Sequence, residues 1–372
     1  MQEITVNLHI HTRFSDGSGL HKQVIDDALN AEVDCIIFTD HNVRVEGIEG
    51  IYRKGTRKLW VISGEEIHNQ ARQPQKNHLL VFGHNRELAT YGYDPQNLIN
   101  HVNAAQGLSF LAHPTDPALE IFHEGDISWE DWSVNGYTGL ELWNGFAEMK
   151  FRVKNYLHGV FYAFNPDTYP VGPHPKTVEI WDSLTKDGKQ VVAICGSDAH
   201  ALPMSLGPIR RTIFPYNFHF RALNNHLLIP DSLSGDYAAD RKSIINAFKQ
   251  GHLFIGNSIP ANPKGFRFYA QTGNGDLEMG DKGILGNSAT IQIKLPHSAE
   301  CRLLRNGQVF KQWSEGTIFS TIVNEPGTYR VEVFLNYLGK RRSWIISNPI
   351  YLMKELPKAE QNPWSQTTLP DF

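Results

Sequence analysis

Cysteine is scarce: the chain has three, Cys35, Cys195 and Cys301, far apart and with no Cys-x-x-Cys pair. That excludes a disulfide framework. Cys35 and Cys195 sit inside apolar, strand-like runs and read as buried hydrophobes. Long hydrophobic runs are missing too. No stretch approaches ~20 apolar residues, so no transmembrane helix and no membrane partner are expected. The N-terminus enters a strand by residue 4 without an apolar targeting segment. With Met1 as the natural start, a cytoplasmic protein is expected. A basic excess is also absent: Lys and Arg number 35 against 39 Asp and Glu, a net charge of -4, which argues against a nucleic-acid polymer as partner.

What is present is a globular composition, 41% hydrophobic and 20% charged, over 372 residues, which suits two domains, one of them large. Histidine is abundant at seventeen, and several stand beside Asp, Gly or Pro where apolar runs end. The first strand, read as Ile4–His11, would project His9 and His11 from one face, because a strand alternates its side chains. Asp16 follows in the loop Ser15-Asp16-Gly17. Six further runs share this form. Cys35–Phe38 ends in Thr39-Asp40-His41, Leu59–Ile62 in Ser63-Gly64-Glu65-Glu66, and His78–Phe82 in Gly83-His84. Leu108–Leu111 ends in Ala112-His113-Pro114, Gly139–Trp143 at Asn144, and Val191–Cys195 in Gly196-Ser197-Asp198-Ala199-His200.

Helical spacing separates these runs: Leu20, Val24, Ile25, Ala28 and Leu29 recur after the first strand, and Asp94-Pro95 opens a capped helix that Gly107 follows. Another capped helix is expected over 240–251. Alternating strands and helices imply a parallel sheet, and seven strands imply closure into a β/α barrel with its chemistry at the carboxyl ends. The segment 146–181, rich in Pro, Tyr and His, reads as an excursion near the site.

After Pro260 and Pro263 the pattern changes to short alternating strands, with Asn306-Gly307 as a hairpin turn. The expected organisation is therefore a barrel over 1–260, a small immunoglobulin-like β-sandwich over 261–353, and a loosely ordered tail over 354–372. The sandwich carries no catalytic constellation. It reads as a packing or dimerisation module, which admits a homo-oligomer, and Trp313 and Trp344 are its aromatics to test for ligand contact.

Collected together, the strand ends supply His9, His11, Asp16, His41, Glu66, His78, His113, Asp198 and His200. Six imidazoles and three carboxylates make a nitrogen and oxygen donor set suited to zinc, manganese or iron. Nine ligands exceed what one ion takes, so two or three divalent ions are implied, with Glu66 as the natural bridging carboxylate.

These motifs, His9-x-His11, Ser15-Asp16-Gly17, Thr39-Asp40-His41, Gly64-Glu65-Glu66, His78-Leu79, Ala112-His113-Pro114 and Gly196-Ser197-Asp198-Ala199-His200, resemble the PHP (polymerase and histidinol phosphatase) metallohydrolases over roughly residues 1–260. The resemblance implies a distorted seven-stranded, TIM-like β/α barrel with two or three metals. His9, His11, Glu66 and Asp198 would hold the first, Glu66, His78 and His113 the second, and Asp16, His41 and His200 a third. Glu65 and His84 are the alternatives to Glu66 and His78. Asp40 would orient a ligand imidazole.

The expected activity is a metal-dependent phosphoesterase on a small-molecule phosphate ester, in which a metal-bridging hydroxide attacks phosphorus. Arg13 and Arg44 are the candidates to clamp the phosphate, and His200 and Asp40 to manage the leaving-group proton. The alternative is a carboxylester, carbamate or amide hydrolase using the same site and an apolar pocket built by Phe146, Phe151, Tyr162 and Trp181. A reading of another class is a non-catalytic metal-binding or regulatory protein.

Overall fold

Largely apolar four- to six-residue runs form strands buried on both faces, and they set the architecture of the computed structural model, which describes residues 1–355. The expected tail, 354–372, lies outside the described residues from position 356 onward. In chain order the strands are β1 (Gln2–Leu8), β2 (Cys35–Phe38), β3 (Gly50–Lys54), β4 (Arg57–Ile67), β5 (Leu79–Phe82), β6 (Leu108–Leu111), β7 (Gly139–Asn144), β8 (Val192–Gly196), β9 (Leu202–Leu206), β10 (Ile209–Ile213), β11 (Leu223–Ile229) and β12 (Leu253–Asn257). The helices are α1 (His21–Ala31), α2 (Pro95–Ala104), α3 (Gly145–Arg152), α4 (Tyr156–Phe164), α5 (Pro175–Thr185), α6 (Tyr216–Ala222) and α7 (Tyr237–Gln250). α1 buries Val24, Ile25, Ala28 and Leu29 as its spacing predicts. Asp94 caps α2 by accepting from the Asn97 amide at 3.0 Å. α7 begins earlier than expected because Asp236, not Asp240, is its cap. Asp240 instead accepts from the Ser234 and Gly235 amides and the Trp60 indole.

The sheet runs in the order β11-β1-β2-β4-β5-β6-β7-β8. Two expectations are corrected here. The sheet is mixed, since β5 is antiparallel to both β4 and β6. The seven strands also do not close into a continuous ladder. β1 pairs along its length with β11, and β8 rejoins β1 only at the carboxyl rim. There Ser197 donates to the Leu8 carbonyl and Ala199 to that of His9, at 3.0 and 3.1 Å. Lower down, the Asn225 side chain of β11 stitches to both main-chain groups of Cys195 in β8. A side-chain amide thus stands where a ladder rung would be.

The β-rich C-terminal region comprises β13 (Arg267–Thr272), β14 (Gly275–Glu278), β15 (Lys282–Ile284), β16 (Ala289–Lys294), β17 (Glu300–Arg305), β18 (Gln308–Trp313), β19 (Ile318–Val323), β20 (Gly327–Tyr337), β21 (Lys340–Ser347) and β22 (Ile350–Met353). β14, β13, β16 and β19 form one sheet. The other layer is continuous with the first sheet, because β21 pairs with β12 from Phe254 opposite Ser347 to Gly256 opposite Ile345. Phe268, Ile291, Leu303, Val331 and Trp344 share one core with Leu228 and Phe254 from β11 and β12. Trp344 is fully buried, its indole donating to the Ala261 carbonyl, so it is a packing residue rather than a ligand contact. Asn306 and Gly307, both at positive φ, make the two-residue turn between β17 and β18.

Candidate metal centre

β1 stops at Leu8 because His9 adopts a left-handed conformation, φ 65°. His9 and His11 therefore do not converge by strand alternation. The bend at His9 and an isolated bridge from Ile10 to Ala199 turn both rings the same way, 5.2 Å apart. His113 and Asp198 also have positive φ, 28° and 52°. Backbone strain of this kind collects at functional sites, where the surrounding bonds over-determine it.

The centre is built on Glu66. Its Oε2 lies 3.0 Å from His9 Nε2, 3.1 Å from His11 Nε2 and 3.2 Å from His41 Nδ1. Its Oε1 lies 2.9 Å from both His78 Nδ1 and His113 Nε2. Asp198 Oδ1 faces His9 and His11 at 3.4 and 3.3 Å and His200 at 3.5 Å. Further out, Asp16 faces His200 at 3.2 Å, His41 at 3.5 Å and His11 at 3.6 Å. All nine residues gathered from the strand ends are thus in one assembly. The Asp16 carboxylate is half-exposed while Glu66 is enclosed, so the assembly grades from a buried floor to a wet rim.

The strand geometry separates the neighbouring candidates. Glu65 and Glu66 both belong to β4 and point to opposite faces. Because β5 runs antiparallel, its first end, with His78, meets Glu66, and its last end, with His84, meets Glu65 behind the sheet at 2.8 Å. Burial and the Glu87 carboxylate push Glu65 up to about 10, and burial and Arg44 push His84 down to about 4, so both are neutral.

Two contributors escape a reading of sequence motifs. Glu141, a buried carboxylate within the apolar run of β7, sits 2.8 Å from His9 Nδ1 and accepts from the His113 amide at 2.7 Å and from Asn144 at 2.9 Å. A Cβ on Gly196 would collide with that carboxylate, so glycine keeps the cradle open. His68, two residues beyond Glu66 on the same face, stacks on His78 with ring centroids 4.4 Å apart. A charge in a fully apolar strand and the i, i+2 relation to Glu66 were the available signals.

Asp40 touches none of the six imidazoles. It accepts from the Thr12 amide and hydroxyl and the Ser15 hydroxyl, and lies 3.6 Å from His21, pinning the loop that carries Asp16. Ser15 in turn reaches His11 Nδ1 at 3.5 Å. Arg44 is directed to Glu49 at 3.3 Å, and the exposed Arg13 donates to the Ser18 carbonyl at 2.8 Å. Trp181 is fully buried in the core and Phe151 packs on His174, whereas Phe146 rests against His200 with centroids 5.9 Å apart.

The donor set fits divalent cations. His9 Nε2, His11 Nε2 and His41 Nδ1 are buried, aimed at Glu66, and lack an aligned hydrogen-bond partner. Burial opposes charge on His11, yet the Asp198 and Glu66 carboxylates outweigh it and raise its pKa to about 10. Burial likewise opposes ionisation of Glu66 and Asp198, and the surrounding imidazoles hold both well below the usual carboxylate range. An enclosed site that favours positive charge this strongly, built from nitrogen and oxygen donors, suits zinc, manganese or iron.

A family model described as the PHP domain matches residues 7–140. No curated protein sequence matches the chain. Among solved structures, the chain is similar to a two-domain protein from Bacteroides vulgatus containing a predicted PHP-like metal-dependent phosphoesterase, with 13% identity, 93% of this chain and 95% of that one covered, and a TM-score of 0.43. It is also similar to an amidohydrolase from Chromobacterium violaceum, with 13% identity, 58% and 96% coverage, and a TM-score of 0.29. Among the described residues, no helix is long and apolar enough to cross a membrane.

Proposed function

Because residues 7–140 carry a PHP domain, we propose that the chain is a metal-dependent hydrolase acting on a small-molecule phosphate ester. The observation that carries this reading is Glu66, whose two oxygens face two separate groups of imidazoles. His9, His11, Glu66 and Asp198 would hold one ion, Glu66, His78 and His113 a second, and Asp16, His41 and His200 a third at the rim. When bound, two or three such ions, zinc, manganese or iron, would supply activation of water and charge neutralisation at the ester.

The chain's own residues do the rest. Glu141 fixes the His9 ring. Asp40, through Thr12 and Ser15, holds the loop of Asp16, and so acts by positioning. Where the rim ion is absent, His200, beside Asp16 at the solvent edge, would pass a proton to the departing alcohol. In balance, a water oxygen bonds to phosphorus, the phosphorus–alcohol bond breaks, and the alcohol leaves with a proton.

A second reading, hydrolysis of a carboxylester or carbamate, is favoured by two observations. Arg44, a candidate phosphate clamp, is engaged by Glu49, and the aromatic Phe146, a candidate for an apolar pocket, lies beside His200. The deciding experiment offers the Mn²⁺-loaded protein a phosphomonoester and a carboxylester of one alcohol, with Asp198→Ala as control. Phosphoester turnover lost in the variant supports the first reading. Carboxylester turnover alone moves the protein to the second.

A further inference from the structure

Beside the metal centre lies a mostly apolar cavity of about 340 Å³, between α3, α4 and the β9–β10 hairpin. Its walls include Ile121, Phe122, Phe146, Val160, Met204 and Phe214. It adjoins the centre through its walls. Phe146, one wall, rests on His200, and Leu202, another, follows His200 by two residues. Lys150, also on the wall, is tied at 2.7 Å to Asp116, three residues beyond His113. Two of the charged groups here are thus already engaged, Lys150 by that carboxylate and Arg211 by the face of Phe164 at 4.2 Å. Glu124 and His123 stand at its exposed edge, so the main attraction for a ligand deeper in is apolar contact, and the volume is in the range of small-molecule pockets.

We propose that this cavity binds the apolar part of the substrate, an alkyl chain or ring carried by the alcohol of the ester, while the reacting group sits among the imidazoles. The inference rests on the hydrolase reading for its orientation but not on the choice between phosphorus and carbon. The grounds for a substrate group as occupant are the Phe146–His200 contact, which joins cavity to centre, and the fit of the volume to a short chain.

The test uses the metal-loaded full chain and two series sharing their alcohols, n-alkyl phosphates and n-alkyl acetates from ethyl to octyl, in which leaving-group basicity stays nearly constant. In whichever series is hydrolysed, kcat/KM is expected to climb about two- to four-fold per methylene until the cavity is full. Ala163→Trp, which fills the cavity from α4, and Met204→Lys, which charges it from β9, should each flatten that climb. Binding of 1-octanol, followed by saturation-transfer NMR, reads the cavity without turnover. Wild-type binding that either variant weakens at least tenfold supports the inference even if neither series is hydrolysed, a result that would sink the hydrolase reading alone. A flat chain-length dependence, or octanol binding indifferent to both variants, overturns the inference and leaves the hydrolase reading standing. A dimer in sedimentation velocity that both variants dissociate, with no chain-length dependence, would assign this wall to a second copy of the chain and overturn it as well.

Discussion

Glu141 Oε1 lies 2.8 Å from His9 Nδ1 with both side chains fully enclosed. A carboxylate only accepts, so Nδ1 carries the proton and Nε2 is turned, unprotonated in the metal-binding form, toward Glu66 and Asp198. The same carboxylate accepts from the His113 amide, so one residue of β7 sets two rings of the centre. Glu141→Gln keeps the size but offers either a donor or an acceptor to Nδ1. Metal affinity, read by chelator competition, should fall about 10- to 100-fold with the circular dichroism spectrum unchanged. Unaltered affinity would reduce Glu141 to a packing residue.

Glu65 and Glu66 test the geometry at one step of sequence. Glu65 is kept protonated at neutral pH by burial and Glu87, with its pKa about 10, so Glu65→Gln replaces a neutral group by a neutral group of equal shape. Turnover should stay within about threefold. Glu66→Gln removes the charge that five imidazoles share and should cost at least about a hundredfold in metal affinity. Equal effects from the two variants would refute the placement on opposite faces.

The nine residues of the centre were legible because chemistry-bearing side chains recurred wherever an apolar run ended. Strand direction was not legible. Nothing in Leu79–Phe82 tells a parallel from an antiparallel strand, since a run buried on both faces reads the same both ways. The choice between His78 and His84 therefore waited on the register of β5. Closure was hidden for a similar reason: the rung between β8 and β11 is a side chain, Asn225, in a run that reads as an ordinary strand. Asp40 was legible as an important acid but not as the anchor of Thr12 and Ser15, because such contacts depend on the path of a loop.

The rim ligands should behave differently from the floor. Asp16 is half-exposed, so its interactions are screened by water and salt, whereas those of Glu66 are not. Mild chelation followed by metal analysis is expected to remove one equivalent first, and Asp16→Asn to weaken that equivalent alone. Loss of all metal in one step from the wild type would argue against a separate rim site.

His219 contributes to the loss of stability in acid. Burial pushes its pKa down to about 4, so the folded chain keeps the ring neutral where the unfolded chain, at about 6.5, is protonated. Between those values the unfolded state binds more protons, so stability rises with pH and is lost as pH falls from 6.5 toward 4, by about 3 kcal/mol in all. His219→Gln should remove that share. Chemical denaturation of wild type and variant at pH 7, 5.5 and 4.5 gives the difference, and parallel curves would mean that the ring is protonated in the fold.

Lys150 and Asp116 form a buried ion pair at 2.7 Å. Burial raises the Asp116 pKa even with the ammonium present, so the carboxylate is held ionised largely by its partner. Lys150→Met strips that partner and leaves a buried charge, which typically costs about 3–5 kcal/mol. The penalty has a sign in pH. With its pKa raised further, Asp116 takes up a proton in the folded state as pH falls, so the loss should be greatest near pH 8 and shrink toward pH 5. Asp116→Asn combined with Lys150→Met removes both charges and should recover much of the stability. If the double variant is as unstable as the single one, the loss belongs to the packing of the lysine stem against the cavity wall, not to the unpaired carboxylate.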